Sequence, residues 1–396
     1  MANTLLSPTV ITREALRVLH GKLTFIGSIN RQYDDQFARK GAKIGSNLSV
    51  RMPNKFVVQS GAALNVQDVE EKTVVVPVTS QKHVDFTFSS TELTLTIDEF
   101  SKRYIEPAMA QLAAVMEGDA FGMALDVPQV VNGLGNPITW KNVLNARKML
   151  MDNLAPTSDR SLILNTQDNV DLVDTLKGLF QSSGEIASQY RDGLMGRTGG
   201  YDVLESTLIK TQLTGTCAST TGYAVNGAGQ TGSQVLLKTG ANTFKKGDVI
   251  TFAGCYRVHP ETKDVTGDLM QFVVTEDYPG GAGNVKISPA IVVSNAAGHQ
   301  NVSASPTADG AVLKVGGASQ VYKPSLAFHK DAFTFATADL VMPEGVDFAS
   351  RQVYDGISMR IVRQYSIATD TFPCRIDVLY GYKTLRESQA VRILSN

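Results

Sequence analysis

The chain has little cysteine: three in 396 residues, Cys217, Cys255 and Cys374, far apart and odd in number. That excludes a disulfide framework and fits thiols kept reduced. An excess of charge of either sign is also missing. Thirty-seven lysines and arginines face thirty-eight aspartates and glutamates, a net charge of −1, so the composition carries no global pull toward DNA or an anionic membrane. No window approaches the roughly 18 consecutive apolar residues of a membrane span, and no basic patch followed by an apolar run marks the N-terminus as a secretory leader. Neither membrane insertion nor secretion is expected. His20, His83, His259, His299 and His329 stand singly, whereas a metal site needs three or four donors converging within about 2.3 Å. His83 with Asp85 on one strand face offers two ligands at most and reads as a solvated pair. No G-x-S-x-G elbow occurs and no cysteine neighbours a histidine, which lowers the odds of a nucleophilic triad. The sequence predicts no catalytic residue, no metal and no cofactor.

What is present is a folding composition, 43% hydrophobic and 19% charged, with length for two or three domains. Ser7 and Pro8 open a short amphipathic helix with Val10, Ile11, Ala15, Leu16 and Leu19 as its stripe and Gly21 as its end. Through residue 46 the chain is basic: Arg13, Arg17, Lys22, Arg31, Arg39, Lys40 and Lys43 against Glu14, Asp34 and Asp35. It reads either as a solvated, partly mobile arm or as an extension that finds its partner on another subunit. From Asn47 strand patterns appear, with Leu48, Val50, Met52, Phe56, Val57 and Val58 on one side and residues 73–78 with Val84, Phe86 and Phe88 on the other. They flank a polar tip, residues 59–72, holding Asp68, Glu70 and Glu71. Each arm of such a ribbon would reach about 30 Å at ~3.3 Å per residue, and an isolated ribbon is marginal in water. Its cover is expected from another molecule.

Thr96 and Glu99 form a capping box, followed by the stripe Ile97, Phe100, Tyr104 and Ile105, and Pro107 kinks or restarts the helix. Residues 108–125 place Met109, Leu112, Val115, Met116, Ala120 and Met123 three and four apart, predicting a helix of roughly 27 Å with a methionine-rich core face. A helix is expected from Thr139 through Asn153, a buried strand over residues 161–165, a helix over 167–180, an irregular loop over 184–201 and a strand over 202–208. Asp168, Asp171 and Asp174 recur every third residue opposite Val170, Leu172, Val173, Leu176 and Leu179, which reads as a solvated helix face.

Near Gly215 the composition shifts. Sixteen of the 34 glycines fall between Gly215 and Gly317, and strand runs repeat at 235–238, 248–253, 269–275, 285–287, 290–293 and 311–315. The spacing predicts an inserted antiparallel barrel or sandwich of about six strands. Gly227, Gly229 and Gly232 satisfy G-x-G-x-x-G, but a strand follows where a phosphate site needs a helix, and the P-loop lysine position holds Gly232, so a turn is expected. Strand signals return at 326–335, 358–366 and 374–382.

Several collinear stretches carry a resemblance: Asn165-Thr166-Gln167-Asp168, Tyr190-Arg191-Asp192-Gly193, Gly200-Tyr201-Asp202-Val203-Leu204, Lys246-Gly247-Asp248 with Ile250, Phe252, Ala253 and Gly254, and Leu326-Ala327-Phe328-His329-Lys330-Asp331-Ala332. With the element order, the chain resembles the major capsid proteins of tailed phages of the Hong Kong ninety-seven-type fold. More narrowly it is similar to the coat proteins of short-tailed enterobacterial phages with an inserted domain, the P22-like group. The similarity is clearest over residues 140–343. It implies an α+β chain divided into an N-terminal arm (1–46), an extended β-hairpin loop with peripheral strands (47–95), a spine helix (96–133), an axial domain (134–214), an inserted β-barrel (215–324) and a return to the axial and peripheral layers (325–396). It further implies a virion shell subunit that forms hexamers and pentamers with itself, meets a scaffolding protein and a portal protein in the host cytoplasm, and encloses DNA without reading its sequence. No cross-linking chemistry is expected. The candidate inter-subunit contacts are Asp68, Glu70 and Glu71 at the acidic tip and Arg13, Arg17, Arg39 and Lys40 in the basic arm, each exposed pair contributing about 0 to 1 kcal/mol. An enzyme with an unrecognised site, or a tail or decoration protein, is the competing expectation.

Overall fold

Strand Thr371–Thr384 is the longest among the described residues and the axle of one of two units, Met1–Val50 with Thr73–Phe121 and Phe333–Leu385. The computed structural model describes residues 8–34, 47–54, 56–58, 66, 73–89, 101–176, 196–294, 298–369 and 371–395. Thr371–Tyr380 pair antiparallel with strand Ser80–Ser89, Cys374–Asp377 with Ile357–Arg363, and Leu379–Thr384 with Phe333–Ala338. Phe348–Tyr354 adds antiparallel at one edge, and Asn30–Asp34 adds in parallel to Phe333–Ala338 at the other. The alternation read around Val84 and Phe86 is visible in Ser80–Ser89, where those two are half-buried between exposed His83, Asp85 and Thr87.

Two longer helices of this unit lie among the described residues. Helix α1, Pro8–Lys22, buries Ile11, Ala15, Leu16, Val18 and Leu19 against helix α2, Glu106–Ala120, and the Phe348–Tyr354 strand. Each such side chain contributes about 1.5–3 kcal/mol. Over its described part the arm therefore packs by its apolar face on its own unit and keeps Arg13 and Arg17 in solvent. It returns through a short turn of helix, Phe25–Ser28, into the edge strand, and Phe25 stacks on Phe121 at 4.6 Å. Pro107 restarts the α-helix after a π-helical turn, Ser101–Ile105. The capping box at Thr96 and Glu99 lies outside the described residues. The α-helix is shorter than predicted: it ends at Ala120 and tightens into a 3-10 turn, Phe121–Asp126. Met109, Leu112, Met116, Ala120 and Met123 are buried as expected, while Val115 faces outward. Of the ribbon, Asn47–Arg51 and Thr73–Pro77 pair, whereas Phe56, Val57 and Val58 are not a strand. Pro53 accounts for the break, because it cannot donate to a ladder.

The other unit comprises Arg51–Lys72, Gly122–Ala332 and Arg386–Asn396. Its mixed six-stranded sheet runs Val130–Asn132, Ala390–Leu394, Ser325–His329, Arg160–Leu164, Tyr201–Glu205, Arg197–Thr198. Helices α3, Trp140–Asp152, and α4, Thr166–Leu176, cover it through Val143, Ala146, Leu150 and Leu172, which pack on Leu162, Leu164, Ala327, Val391 and Ile393. Thr139 occupies the N-cap position of α3 in an extended conformation, without a side-chain capping bond.

The glycine-rich segment forms a closed six-stranded barrel in the order Thr220–Val225, Gly232–Lys238, Gly283–Ile291, Phe272–Val274, Val249–Phe252, Ala311–Lys314. Six strands were expected, but not these six. The run at 285–287 and the first half of that at 290–293 belong to one strand, which ends at Ile291, and Thr220–Val225 carries no clear signal because Gly222, at φ +74°, interrupts it at a register shift. Val225, Val235, Phe244, Ile250, Phe252, Phe272, Val285 and Val312 fill the interior. Gly227, Gly229 and Gly232, all at positive φ, lie at the hairpin joining the first two strands, as the turn reading requires. Below the barrel Gln212–Leu213 pairs with Val321–Tyr322, so the chain enters and leaves the insertion side by side.

Candidate assembly surfaces

Of the seven residues predicted to meet a neighbouring subunit, two are described. Arg13 and Arg17 lie on the outer face of α1, and both side chains are exposed. Arg17 forms a fork with Glu14, Nε to Oε2 at 2.9 Å and Nη2 to Oε1 at 2.6 Å. Asp68, Glu70, Glu71, Arg39 and Lys40 fall outside the described residues, so the structure does not bring tip and arm together or separate them. On the ribbon, Phe56, Val58 and Val66 are 67%, 95% and 79% exposed. They are among the most exposed large apolar side chains of the described residues, with Ile367 at 86%.

The arm is anchored by a residue the sequence analysis did not single out. Glu117, buried on α2, accepts the backbone N–H groups of Thr24 and Ile26 at Oε1, both at 2.9 Å, and that of Phe25 at Oε2, 3.0 Å. These are orphan donors at the start of a helical turn. Burial raises the Glu117 pKa by more than the three N–H bonds lower it. Farther on, Arg31 and His20 both meet Asp355 Oδ2, at 2.7 and 2.8 Å. In the same unit Asp377 is buried in the sheet and accepts Arg360 Nη2 and Arg375 Nε, each at 2.7 Å, and Gln81 Nε2 at 3.1 Å. Burial alone would raise its pKa, yet these partners hold it below the ordinary carboxylate value.

In the sheet of the other unit, Asp168 corrects the solvated-face reading of α4. It is fully buried, with Ser325 and Ser395 hydroxyls donating to its two carboxylate oxygens, and its own N–H donates to Asn165 Oδ1 at 2.7 Å. The Asn165-to-Asp168 spacing is an N-cap bond, which explains the first of the collinear motifs. Asp171 is half-buried and Asp174 exposed. The Lys246-Gly247-Asp248 motif sits at the neck of the barrel. Asp248 Oδ2 accepts from the N–H groups of Lys245 and Gly215, both at 2.9 Å, and buried Lys314 donates to the carbonyls of Gly317, at 2.7 Å, and Gly215, at 3.3 Å. Arg392, fully buried on the sheet, reaches Gln212 Oε1 at 3.3 Å, and Tyr322 donates to the same oxygen at 2.7 Å. Desolvation lowers the Lys314 and Arg392 pKa values and raises that of Asp248.

None of these clusters is arranged for bond making. The charged groups are taken up by backbone, hydroxyl and amide partners or by ion pairs with one another. Burial pushes the thiols up, to about 11 for Cys217 and about 12 for Cys255 and Cys374, far from a nucleophilic thiolate at neutral pH. His83 Nδ1 and Asp85 Oδ2 pair at 2.9 Å with both side chains exposed. Among the described residues, no three His, Cys, Asp or Glu side chains converge on a metal position.

Comparison with known proteins gives three kinds of result. Among curated proteins none matches the chain. Among solved structures, Mycobacterium phage Che8 aligns with 12% identity over 94% of this chain and 90% of that one, at a TM-score of 0.46. The capsid of Ralstonia phage GP4 aligns with 8% identity over 94% and 90%, at 0.48. The CUS-3 coat protein I-domain aligns with 26% identity over 24% of this chain and 94% of that one, at 0.20. The family model described as P22 coat protein, gene protein 5, matches residues 38–391. Because that match takes in most of both sheets, α2 and the inserted barrel in one run, the chain belongs to the P22 coat protein family, the major capsid proteins of tailed double-stranded DNA phages.

Proposed function

We propose that this coat protein closes an icosahedral shell by leaving apolar and hydrogen-bonding surface unfinished for identical copies to complete. The observation that carries the reading is the ribbon, whose paired base strands lead to Phe56, Val58 and Val66 with most of their surface exposed. Repeated heterologous contacts of one such element close into rings when the rotation permits, giving hexamers and pentamers. The division of labour follows the Hong Kong ninety-seven-type plan, with residues 1–46 as arm, 47–95 as extended loop, 96–133 as spine, 134–214 with the return of 325–396 as the axial and peripheral layers, and 215–324 as insertion. Asp68, Glu70 and Glu71 meet basic residues of a neighbouring arm, among them Arg13, Arg39 and Lys40. A partner carboxylate at Arg17 competes with Glu14 for the same guanidinium. A scaffolding protein and a portal protein direct assembly in the host cytoplasm, and DNA is enclosed without sequence readout, in keeping with a net charge of −1.

Electron microscopy of the chain expressed alone and with its scaffolding protein tests this. Closed particles or capsid-like tubes are the expected products. Small soluble oligomers at every concentration, with and without scaffold, would overturn it.

A further inference from the structure

Among the described residues, the sheet beneath the barrel ends at strand Val130–Asn132, whose single strand neighbour is Ala390–Leu394. The pairing is parallel, so each residue turns its N–H and C=O to the same side and successive residues alternate. Gln129 accepts from the Arg392 N–H at 2.9 Å and Gly133 donates to the Leu394 carbonyl at 2.8 Å, so residues 129, 131 and 133 face the neighbour. Val130 faces outward, and an outward N–H and C=O on an edge strand are a template for another chain. Both are occupied. The Val130 N–H donates to Gln271 Oε1 at 2.8 Å, and its carbonyl accepts from Gln271 Nε2 at 3.1 Å. A primary carboxamide presents a donor and an acceptor side by side, as the backbone of an adjoining strand would. Farther along the edge, Asn132 Oδ1 accepts the Leu134 N–H at 3.3 Å.

Gln271 precedes the barrel strand Phe272–Val274, so the insertion supplies the cap. Other contacts help to seat the barrel beside that side chain. Val130 and Leu394 pack with Val249, Val273 and Tyr322 in one buried cluster. Arg257 Nη2 donates to Asp152 at 3.0 Å, and the Ser288 hydroxyl donates to Glu387 at 2.7 Å. Gln271 is thus a specific addition to an apolar contact already made.

We infer that Gln271 acts as a surrogate strand, by which the inserted barrel closes the open edge of the neighbouring sheet against a second copy of this chain. The insertion then guards polymerisation: copies crowding into a shell meet through their assembly surfaces and not by strand addition at Val130. The inference stands on the geometry of one chain and holds whatever the shell contacts prove to be.

Residue-resolved hydrogen exchange on the full-length chain, kept dilute and monomeric, is the test. In the unaltered protein the Val130 amide is expected to be protected although no strand among the described residues covers that side. Gln271→Ala should speed its exchange about tenfold while Val273 and Ile287 inside the barrel keep their rates. Gln271→Glu retains an acceptor for the N–H and should fall between. On concentration Gln271→Ala should form aggregates with an intermolecular β-sheet infrared band, and Gln271→Lys should not, although it exchanges as fast, because a lysine on a strand edge blocks pairing. An unprotected Val130 amide in the unaltered chain, unchanged exchange in Gln271→Ala, or equal aggregation of the Ala and Lys variants would each overturn the inference. The first measurement needs no variant, and an unprotected Val130 amide overturns the inference even if Gln271→Ala fails to fold.

Discussion

Gly215 is gripped at both ends of its peptide unit, N–H by Asp248 and C=O by Lys314. A β-carbon there would lie 2.2 Å from the Thr243 carbonyl oxygen and 2.8 Å from the Phe244 Cα. Both obstacles are backbone and cannot step aside. Gly215→Ala should therefore cost about 1–3 kcal/mol, read as a lowered denaturation midpoint of barrel tryptic fragments under pulse proteolysis. Glu387 makes a prediction in pH. Burial is the main cause that carries it from 4.5 to about 7, against the lowering effect of the Ser288 hydroxyl. A carboxyl with a raised folded pKa holds more protons folded than unfolded, so its contribution to stability is complete below 4.5 and is lost as pH rises through about 7. Glu387→Gln should flatten that part of the stability profile in urea titrations between pH 4.5 and 7.5. Asp377 has the opposite sign: its depressed pKa stabilises above the ordinary carboxylate range and the gain disappears as acid protonates it. The sequence could show that Asp168 and Asp248 lay in distinctive motifs. It could not show that they were buried, because their partners Ser325, Ser395, Gly215 and Lys314 come from strands and turns far along the chain.

Among the elements, α1 and the strand after it show where periodicity succeeds and where it stops. The stripe Ile11, Ala15, Leu16 and Leu19 was legible as a helix face and is buried. What it packs on was not, since Glu117 reads as one more charge on an amphipathic helix until its three N–H donors are seen. Glu117→Gln replaces one acceptor oxygen with a donor amide facing N–H groups, and should loosen the arm by about 1–3 kcal/mol. Faster amide exchange at Thr24–Ile26 and quicker tryptic cleavage after Lys22 would report it. Helix α3 was legible almost to the residue, and strand Ser80–Ser89 was legible from its alternation, although it pairs with Thr371–Thr384 and not across the ribbon as expected. Thr220–Val225 and Phe348–Tyr354 were missed. The first contains Gly222 at a register shift; the second is an edge strand with Val353 and Tyr354 exposed, where burial does not enforce a pattern.

For the whole molecule, membership of the coat protein family makes the chain a structural component of the virion capsid and not an enzyme. Its consequence is that surface substitutions can leave the monomer intact and still abolish function. Val58→Asp, at a side chain 95% exposed, should shift the melting temperature little while reducing the yield of closed particles. Reversing the charge of Glu70 and Glu71 to Lys should weaken assembly without unfolding the chain. Sedimentation of shells beside thermal melts of the monomer checks both, and normal shells from the double variant would remove the acidic tip from the assembly contacts.

The paired strands Gln212–Leu213 and Val321–Tyr322 also make the barrel a detachable cassette. Excision above Leu213 and Val321, which face each other in register, leaves two chain ends about 5 Å apart, a gap that a two-residue hairpin spans. A lineage can therefore gain or shed the whole module without re-threading the sheet beneath.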